Sequence, residues 1–522
     1  MYAEGAARKY ADDTLIIMRA CEEGAARLRW ILDIFADATG LKINFTKSTL
    51  VPIHVDAAEL EMVVRALRCV VGSFPQTYLG LPLSWEKLKF EDFLPMIAKV
   101  DKYLAGWAAR LLSPAARLVL INAVLDALPT YTMAALLLPP KLLRALDAMR
   151  RDFLWNVAER ASGAQCLVAW DRVCRAKSEG GLGVRSLAVQ NDCLLLKMIH
   201  RLHCWPRSRW AAWVWDEAHG SSLLTRGDLA LGEHRRALTK LMPLYRDLST
   251  VTVGDGRSVS FWFDNWLPCG TLAVAFPALF SHAVSPEMTV WEAREEGLPR
   301  HLVPRLTHAG ETELGVVLTL MEAQPVREEE GDDRSLLLIS TPRGVLSTAM
   351  AYRLMRFGGL VAPFAASMWE TRAPSRVKFF CWLMVQKRIY TRDVLLKKHI
   401  LEPDGAGCPV CEDGLESADH MIFSCPFARS FWGRIGVNVE GVSVSCLDHL
   451  ASAASSVVDS APEFSMLCCW HLWKHRNAVV FQGLCPSLAR LLGSCKEDAL
   501  LWRGRLRKSC HAHVETWMQA LG

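Results

Sequence analysis

Hydrophobic positions change their period several times along the chain, and each change marks a predicted element. Tyr10-Ala11-Asp12-Asp13 runs into the apolar segment Thr14-Leu15-Ile16-Ile17-Met18, which predicts a β-hairpin with an acidic turn. Glu22 to Thr39 then spaces Ala26, Trp30, Ile31, Ile34 and Phe35 as one helical face, with Gly40 as the stop. Leu41 to Phe45 alternates like a strand. From Asp56 to about Leu146 the pattern is mainly helical, broken by Tyr78-Leu79-Gly80-Leu81-Pro82-Leu83. Residues 150 to 250 carry Trp and Leu at helical spacing around a turn at Gly180-Gly181-Leu182-Gly183. Gly254-Asp255-Gly256 signals another turn, and Val259 to Trp266 is a short aromatic strand candidate. The charge run from Arg327 to Arg334 reads as a solvated linker. A compact unit follows from about Ser367 to Val437, then a helical, basic tail to Gly522. The predicted class is mainly α (α+β), with no internal repeat and no low-complexity segment.

Length and composition narrow the class. At about 150 residues per domain, 522 residues suggest three or four domains. The chain is 51% hydrophobic and 22% charged, which is globular composition. A net charge of +5, from 60 Lys and Arg against 55 Asp and Glu, does not identify a nucleic-acid partner, so any basic surface must be local. The 19 tryptophans outnumber the 8 tyrosines, and each needs a large apolar site.

The 17 cysteines lack the spacing of a secreted disulfide scaffold, and Met1 opens no apolar leader. The longest apolar stretch, Leu118 to Leu143, is broken by Asn122, Asp126, Pro129 and Pro139-Pro140. A bilayer span needs roughly 20 apolar residues, so this stretch is expected to be a packed helical region and not a membrane segment. The expectation is an intracellular protein, nuclear or cytoplasmic, with most thiols free.

Cys408-Pro409-Val410-Cys411 is followed by His420 and Cys425, a C-x₂-C-x₈-H-x₄-C arrangement. Two thiolates two residues apart reach one ion, and Zn²⁺ needs two more N or S ligands to close a tetrahedron. Four protein ligands leave no open position, so the expected Zn²⁺ is structural. The bland alternative is four reduced bystanders. Pro426 suits the first turn of a helix whose amides would favour the Cys425 thiolate. The neighbouring Asp12 and Asp13 are candidate ligands for Mg²⁺, although an isolated Asp-Asp pair is ordinarily just a turn.

Basic residues Arg372, Arg376, Lys378, Lys387, Arg388, Arg392, Lys397 and Lys398 interleave with Phe379, Phe380 and Trp382. Arg388 and Arg392, four apart, are predicted on one helical face, where they either contact phosphate or simply face solvent. Phe379 and Trp382 at helical spacing are expected to be core, not stacking platforms for bases. In the tail, Arg503, Arg505, Arg507 and Lys508 are basic. Cys510, His511 and His513 form a weak metal candidate on what is expected to be a flexible tail.

These motifs carry a resemblance. Tyr10-Ala11-Asp12-Asp13 resembles the YxDD box of reverse transcriptases. Gly40-Leu41-Lys42-Ile43-Asn44 with Lys47-Ser48 resembles the next palm motif of non-LTR (LINE-type) retrotransposon polymerases, and Tyr78 to Leu83 their primer grip. Trp170-Asp171-Arg172 through Gly183 is similar to the stretch after the thumb in plant elements, as are Gly254-Asp255-Gly256, Phe261-Trp262 and Asp264-Asn265-Trp266. Trp369, Pro374, Lys378, Phe380 and Trp382, with Glu416, Phe423, Ala428 and Trp432, resemble the reverse-transcriptase zinc-binding domain. Trp473 to Asn477 resembles the segment that joins this domain to an RNase H domain in some of these elements.

The resemblance implies a palm remnant over 1–55, a primer grip and thumb-like region over 56–150, and a helical connector over 151–250. An aromatic connector with its acidic linker would fill 251–366, the zinc domain 367–437 and the basic tail 438–522. It makes Asp12 and Asp13 remnants of a two-metal polymerase site, with Lys42, Tyr78, Gly80, Arg388 and Arg392 as nucleic-acid contacts. Only nine residues precede Tyr10, too few for fingers and the earlier palm aspartate, so an N-terminally truncated chain without polymerase activity is expected. Mg²⁺ would matter only in a completed site. Expected partners are RNA or DNA and a chain bearing fingers and palm, with no membrane. The alternatives are a fragment that complements an RNA-directed DNA polymerase, and a degraded element with no selected function.

Overall fold

The computed structural model describes residues 6–10, 13–107, 111–155, 166–204, 208, 211–212, 232–324, 331–336, 345–358 and 361–522. They are mostly helical, as expected, with four two-stranded sheets among the described residues. The chain divides into one compact unit of residues 1–98 with 228–236 and a larger one of 99–227 with 237–522.

In the smaller unit the predicted hairpin forms: β1 (Ala6–Tyr10) pairs antiparallel with β2 (Asp13–Ile17), Tyr10 opposite Asp13. It stays two-stranded among the described residues, a marginal arrangement on its own. Helix α1 (Glu22–Thr39) begins with two glutamates, which suit its positive end, and Gly40 ends it at φ 72°. Helix α2 (Ala57–Leu67) is capped by the Asp56 carboxylate, which accepts from the Glu59 N–H. Ala25, Val63 and Leu67 are the buried centre between them, flanked by Met18, Leu28 and Leu50. The apolar stripe read on α1 is present but open to solvent: Trp30 is 64% exposed, and Ile31 and Ile34 are nearly half exposed.

Leu41–Phe45 is not a strand. Asn44 turns the chain instead, its Oδ1 accepting from the Lys47 N–H and the Thr46 hydroxyl while its carbonyl accepts from Ser48. A short amide side chain competes well with a ladder for such N–H groups. Strand pairing falls later, between β3 (Thr49–Leu50) and β4 (Val70–Val71). The break at Tyr78–Leu83 is a tight hairpin of β5 (Gln76–Tyr78) and β6 (Leu81–Leu83). Both loop residues, Leu79 and Gly80, have positive φ, the backbone that a two-residue hairpin turn requires.

The larger unit includes helices α3 (Pro114–Leu120), α4 (Pro140–Trp155) and α5 (Leu187–Cys204), and the greater part of α6 (Gly232–Asp247). Leu118, Ile121, Leu125, Leu138 and Leu142 are buried, so the long apolar stretch is an interior helical region. No helix of the described residues is long and apolar enough to cross a membrane. Asn191 of α5 fixes the preceding turn, accepting from the Leu138 N–H and donating to the Met133 and Leu136 carbonyls, each at 2.8 Å.

Strand β7 (Ser249–Thr252), helix α7 (His308–Glu322) and strand β8 (Asp333–Leu336) frame the aromatic connector, with β7 and β8 antiparallel. The predicted strand over Val259–Trp266 is a knot of turns around buried Phe261, Trp262 and Trp266. Asp264 takes the Ser260 N–H at 2.8 Å, and the Trp266 indole donates to the Phe261 carbonyl. The Phe261 N–H reaches the Met288 carbonyl and the Val290 N–H the Val259 carbonyl, an isolated bridge in place of a continuous ladder.

The charge run is not a solvated linker where it is described. Arg334 is buried and grips Asp264 with both guanidinium nitrogens, at 3.0 and 2.5 Å, beside Arg246. Asp332 accepts from the Gly254, Gly256 and Ser258 N–H groups and the Ser258 hydroxyl. Gly256 sits at φ 74°, and a Cβ there would lie 3.0 Å from the Trp291 nitrogen. Two of the acidic run's charges therefore staple the connector together.

Helix α8 (Thr348–Arg356) packs its Ala351, Tyr352 and Met355 against α5. The C-terminal part follows with α9 (Phe364–Trp369), α10 (Ser375–Val385), α11 (Arg392–Lys397), α12 (Pro426–Arg434) and α13 (Leu447–Ser455). It ends in α14 (Ala461–Gln482), α15 (Leu488–Arg503) and α16 (His511–Ala520). Trp382, Trp432, Phe464 and Trp517 are fully buried here. The expected flexible tail is a packed helix: the Trp517 indole donates to the Asp459 carbonyl at 2.7 Å. The glycine turn at 180–183 clasps this region, since the Gly180 carbonyl accepts from the Trp382 indole at 2.8 Å and Lys177 lies over the Trp369 ring. Gly181 leaves no room for a side chain, because a Cβ would fall 2.1 Å from the Arg175 carbonyl oxygen.

Candidate metal centre

The loop before Cys408 is drawn tight by its own backbone. Gly407 bridges Leu415, the Cys408 N–H donates to the Gly414 carbonyl, and the Glu412 N–H returns to the Cys408 carbonyl. Gly414, at φ 70°, makes that reversal possible. The knuckle carries Cys408 and Cys411 on one side.

His420 and Cys425 come from a different device. The Cys425 N–H donates to the His420 carbonyl five residues back, at 2.7 Å, closing a π-type turn over His420–Ser424. On an α-helix, residues five apart point roughly 140° away from each other; the wider turn swings both side chains toward the knuckle. Buried Met421, Ile422 and Phe423 hold it, and the Trp432 indole donates to the Ile422 carbonyl at 2.7 Å.

As a result the ligand atoms of Cys408, Cys411, His420 and Cys425 all lie within 4.8 Å of one another. Among the described residues this is the only such grouping of three or more Cys, His, Asp or Glu. A tetrahedral Zn²⁺ with bonds of about 2.0–2.3 Å places neighbouring ligands roughly 3.3–3.8 Å apart, so the set fits with a small contraction. The Cys411 sulfur is already 3.4 Å from His420 Nε2. Were all four to bind one ion, no coordination position would stay open.

The thiols are pre-polarised. A hydrogen bond to Cys425, together with burial, pushes the Cys408 thiol up to about 12. The same bond, joined by the Phe427 and Ala428 N–H groups of the first turn of α12, holds Cys425 below the ordinary thiol range. Cys425 caps α12 and Pro426 is its first residue, as the sequence led us to expect.

Helix α14 closes the site from outside the loop. Leu472, His475 and Arg476 enclose the Cys408 and Cys425 side chains together with Val410, Met421 and Phe427. The Phe427 and His475 rings stack at 5.0 Å, 4° from parallel. Arg476 reaches the fully buried Glu416 with two contacts, at 2.7 and 2.5 Å, and Glu416 also accepts from the Arg392 N–H. The sequence offers only a weak sign of this pair, one of several acidic residues in a Gly-rich loop and an Arg 60 positions later.

The other candidates are not gathered into one place. Arg388 and Arg392 do not share a helical face, because α10 ends at Val385 and Lys387 breaks the helix at φ 53°. Arg388 is exposed, whereas the Arg392 guanidinium donates to the Gly407 carbonyl at 2.7 Å. Phe379 and Trp382 are core, as expected. Lys42 is exposed beside the Asn44 turn, Tyr78 is half-buried in the β5–β6 hairpin, and Gly80 is exposed at its tip. Asp13 is exposed at the start of β2, and Asp12 lies outside the described residues. Cys510, His511 and His513 form no metal-sized group.

Comparison with known proteins bears on this centre. The family described as zinc-binding in reverse transcriptase matches residues 346–432, which include all four ligands. The match also takes in α8, ahead of the boundary expected near Ser367. The chain is 29% identical over 374 residues to an Arabidopsis thaliana protein that carries the provisional name ribonuclease H protein, a match covering 68% of this chain and 57% of that protein. It is 28% identical over 165 residues to an uncharacterised mitochondrial protein of the same plant, covering 27% of this chain and 93% of that one. The chain thus spans little more than half of the first relative. These likenesses are to retrotransposon-related proteins, and the segment 346–432 resembles the zinc-binding family of reverse transcriptases.

Proposed function

We propose that this chain is the C-terminal part of a plant non-LTR (LINE-type) retrotransposon reverse transcriptase, with a structural Zn²⁺ on Cys408, Cys411, His420 and Cys425. The observation that carries this reading is the convergence of those four ligand atoms inside the segment matched to the reverse-transcriptase zinc-binding family. Zinc there locks a loop with little apolar content of its own to α12 and α14. Its role in this reading is to present nearby exposed basic groups, Arg388 and Lys387 first, to RNA or DNA. Metal analysis and salt-dependent retention on single-stranded RNA and DNA test both halves. One zinc per chain and a falling affinity with salt are expected; zinc well below one per chain overturns the metal assignment.

In this reading the chain does not polymerise DNA alone. Two-metal transfer needs several converging carboxylates, and Asp13 has no such group around it among the described residues. Primer extension with Mg²⁺ and dNTPs is the test, and activity abolished by Asp12→Ala overturns the proposal.

The open apolar stripe of α1 favours a second reading, in which the smaller unit completes a chain that supplies fingers and the first palm motif. Trp30 at 64% exposure is costly to leave in water without a partner. Co-purification with such a chain, lost in Trp30→Glu, supports complementation; an unaffected complex refutes this use of the stripe.

A further inference from the structure

A groove of about 720 Å³ opens in the larger unit, away from the metal centre, between α3, the start of α10 and the end of α15. Its floor is aliphatic: Ala115, Ala116, Val119 and Leu120 from α3 face Leu501 from α15. Val119 and Leu501 are 56% and 72% exposed, large values for aliphatic side chains that face each other across a concave surface. The rim is basic. Arg376 and Arg505 line it and are exposed, and Arg503 adds a third exposed cation on the same helix end. The one acidic group in the lining, Asp498, is buried on His471 at 2.9 Å, so the exposed charges at the rim are basic.

We propose that this groove is a docking site for an amphipathic helix with an apolar stripe and acidic flanks, supplied by a protein partner. The volume and shape suit a few aliphatic anchors at i, i+3/i+4 and i+7. Arg376 and Arg505 then meet carboxylates on either side of the stripe, which sets orientation and speeds association. A single-stranded nucleic acid would also meet the arginines, but it needs aromatic faces for its bases. The one indole in the lining, Trp502, is buried at 4% exposure, so the floor offers none. The inference does not depend on the nucleic-acid reading of the zinc segment.

Two fluorescein-labelled peptides and one oligonucleotide test it on the full chain. The first peptide is a helix with Leu at i, i+3, i+4 and i+7 flanked by Glu; the second is the same composition scrambled; the third probe is (dT)₁₅. The amphipathic peptide is expected to bind at least tenfold more tightly than the scrambled one. Val119→Asp or Leu501→Asp should weaken it tenfold or more, and Arg505→Glu several-fold with a loss of salt dependence. Both apolar positions are exposed, so these variants should keep the wild-type melting temperature, and Leu500→Asp, an exposed neighbour outside the lining, should leave binding unchanged. Equal binding of both peptides, or groove variants that keep peptide binding, overturns the proposal. So does loss of (dT)₁₅ binding alone, which would assign the groove to nucleic acid.

Discussion

Arg476 meets Glu416 across 60 residues of chain, Nε to Oε1 at 2.7 Å and Nη2 to Oε2 at 2.5 Å, with both side chains buried. The metal loop and helix α14 are thereby one structural unit. Glu416 also holds the Arg392 N–H, so the pair anchors three segments: the knuckle, the start of α11 and the long helix.

Breaking this pair from one side is expected to be costly. Glu416→Gln or Arg476→Met leaves a buried charge without its partner, which typically costs about 3–5 kcal/mol. Replacing both at once, Glu416→Leu with Arg476→Met, should recover much of that loss. Urea unfolding of the three variants, with zinc held constant, is the check. Additive losses in the double variant would show that the two residues are not coupled.

Removing zinc should melt the C-terminal part before the rest. Ligand that binds only the folded state stabilises by roughly 4 kcal/mol at a thousand times its Kd, and structural zinc sites exceed that concentration ratio easily. EDTA is expected to split a thermal melt into an early transition reported by tryptophan fluorescence and a late one. Cys411→Ser should do the same without chelator, while Cys446→Ser, a half-buried thiol outside the cluster, should not. A melt unchanged by EDTA and by Cys411→Ser would refute a structural metal.

The convergence of Cys408, Cys411, His420 and Cys425 was legible in the sequence because their spacing is itself a local constraint. The hairpin at Asp13, helix α1 with its Gly40 stop and the Pro426 helix start were legible for the same reason. What failed was set by distant partners. The 327–334 run looks solvated until Asp332 is seen capping the Gly254–Ser258 turn and Arg334 pairing with Asp264, 70 residues earlier. Val259–Trp266 has the composition of a strand, yet it forms an isolated bridge, Ser260 to Thr289, before Asp264 turns the chain by accepting the Ser260 N–H. Arg388 and Arg392 have helical spacing, and a single left-handed Lys387 between α10 and Arg388 is enough to separate them.

Acid should destabilise the C-terminal helices through His471. Burial drives its pKa down to about 4, against the attraction of Asp498, and its side chain is 2% exposed. The folded state then holds the ring neutral while the unfolded chain protonates near 6.5, so the unfolded state binds more protons between those values and stability falls as pH drops through that window. Above about 6.5 the term is flat. From pH 7 to 5 the expected loss is about 2 kcal/mol. His471→Gln should flatten that slope in urea titrations; an unchanged slope would locate the sensitivity elsewhere.

The connector staples predict a graded pair of losses. Asp264→Asn removes the negative charge between Arg334 and Arg246, two cations that are themselves buried, and should cost about 3–5 kcal/mol. Asp332→Ala frees three N–H groups and a hydroxyl that lie partly within reach of water, so about 1–3 kcal/mol is expected. Thermal melts that rank the two the other way would mean the turn, and not the buried triad, is the keystone of the connector.

Arg388 and Arg392 separate surface chemistry from scaffold. The sequence pairs them; the structure gives Arg392 to the Gly407 carbonyl, one residue before Cys408, and leaves Arg388 exposed. If the zinc segment contacts phosphate, Arg388→Ala should weaken retention of RNA or DNA uniformly across sequences and lower the salt slope by about one. It should leave zinc content and melting temperature alone. Arg392→Ala should do the reverse, loosening the knuckle and accelerating zinc loss to a chelator, with weaker nucleic-acid binding only as a consequence that excess zinc rescues. Filter binding over a salt series, with zinc release followed by a chromophoric chelator, distinguishes them. Should Arg388→Ala leave the salt slope untouched while Arg392→Ala changes it in saturating zinc, phosphate contact belongs to the half-buried residue that bonds the Gly407 carbonyl, and the assignment of the exposed surface around Arg388 is wrong.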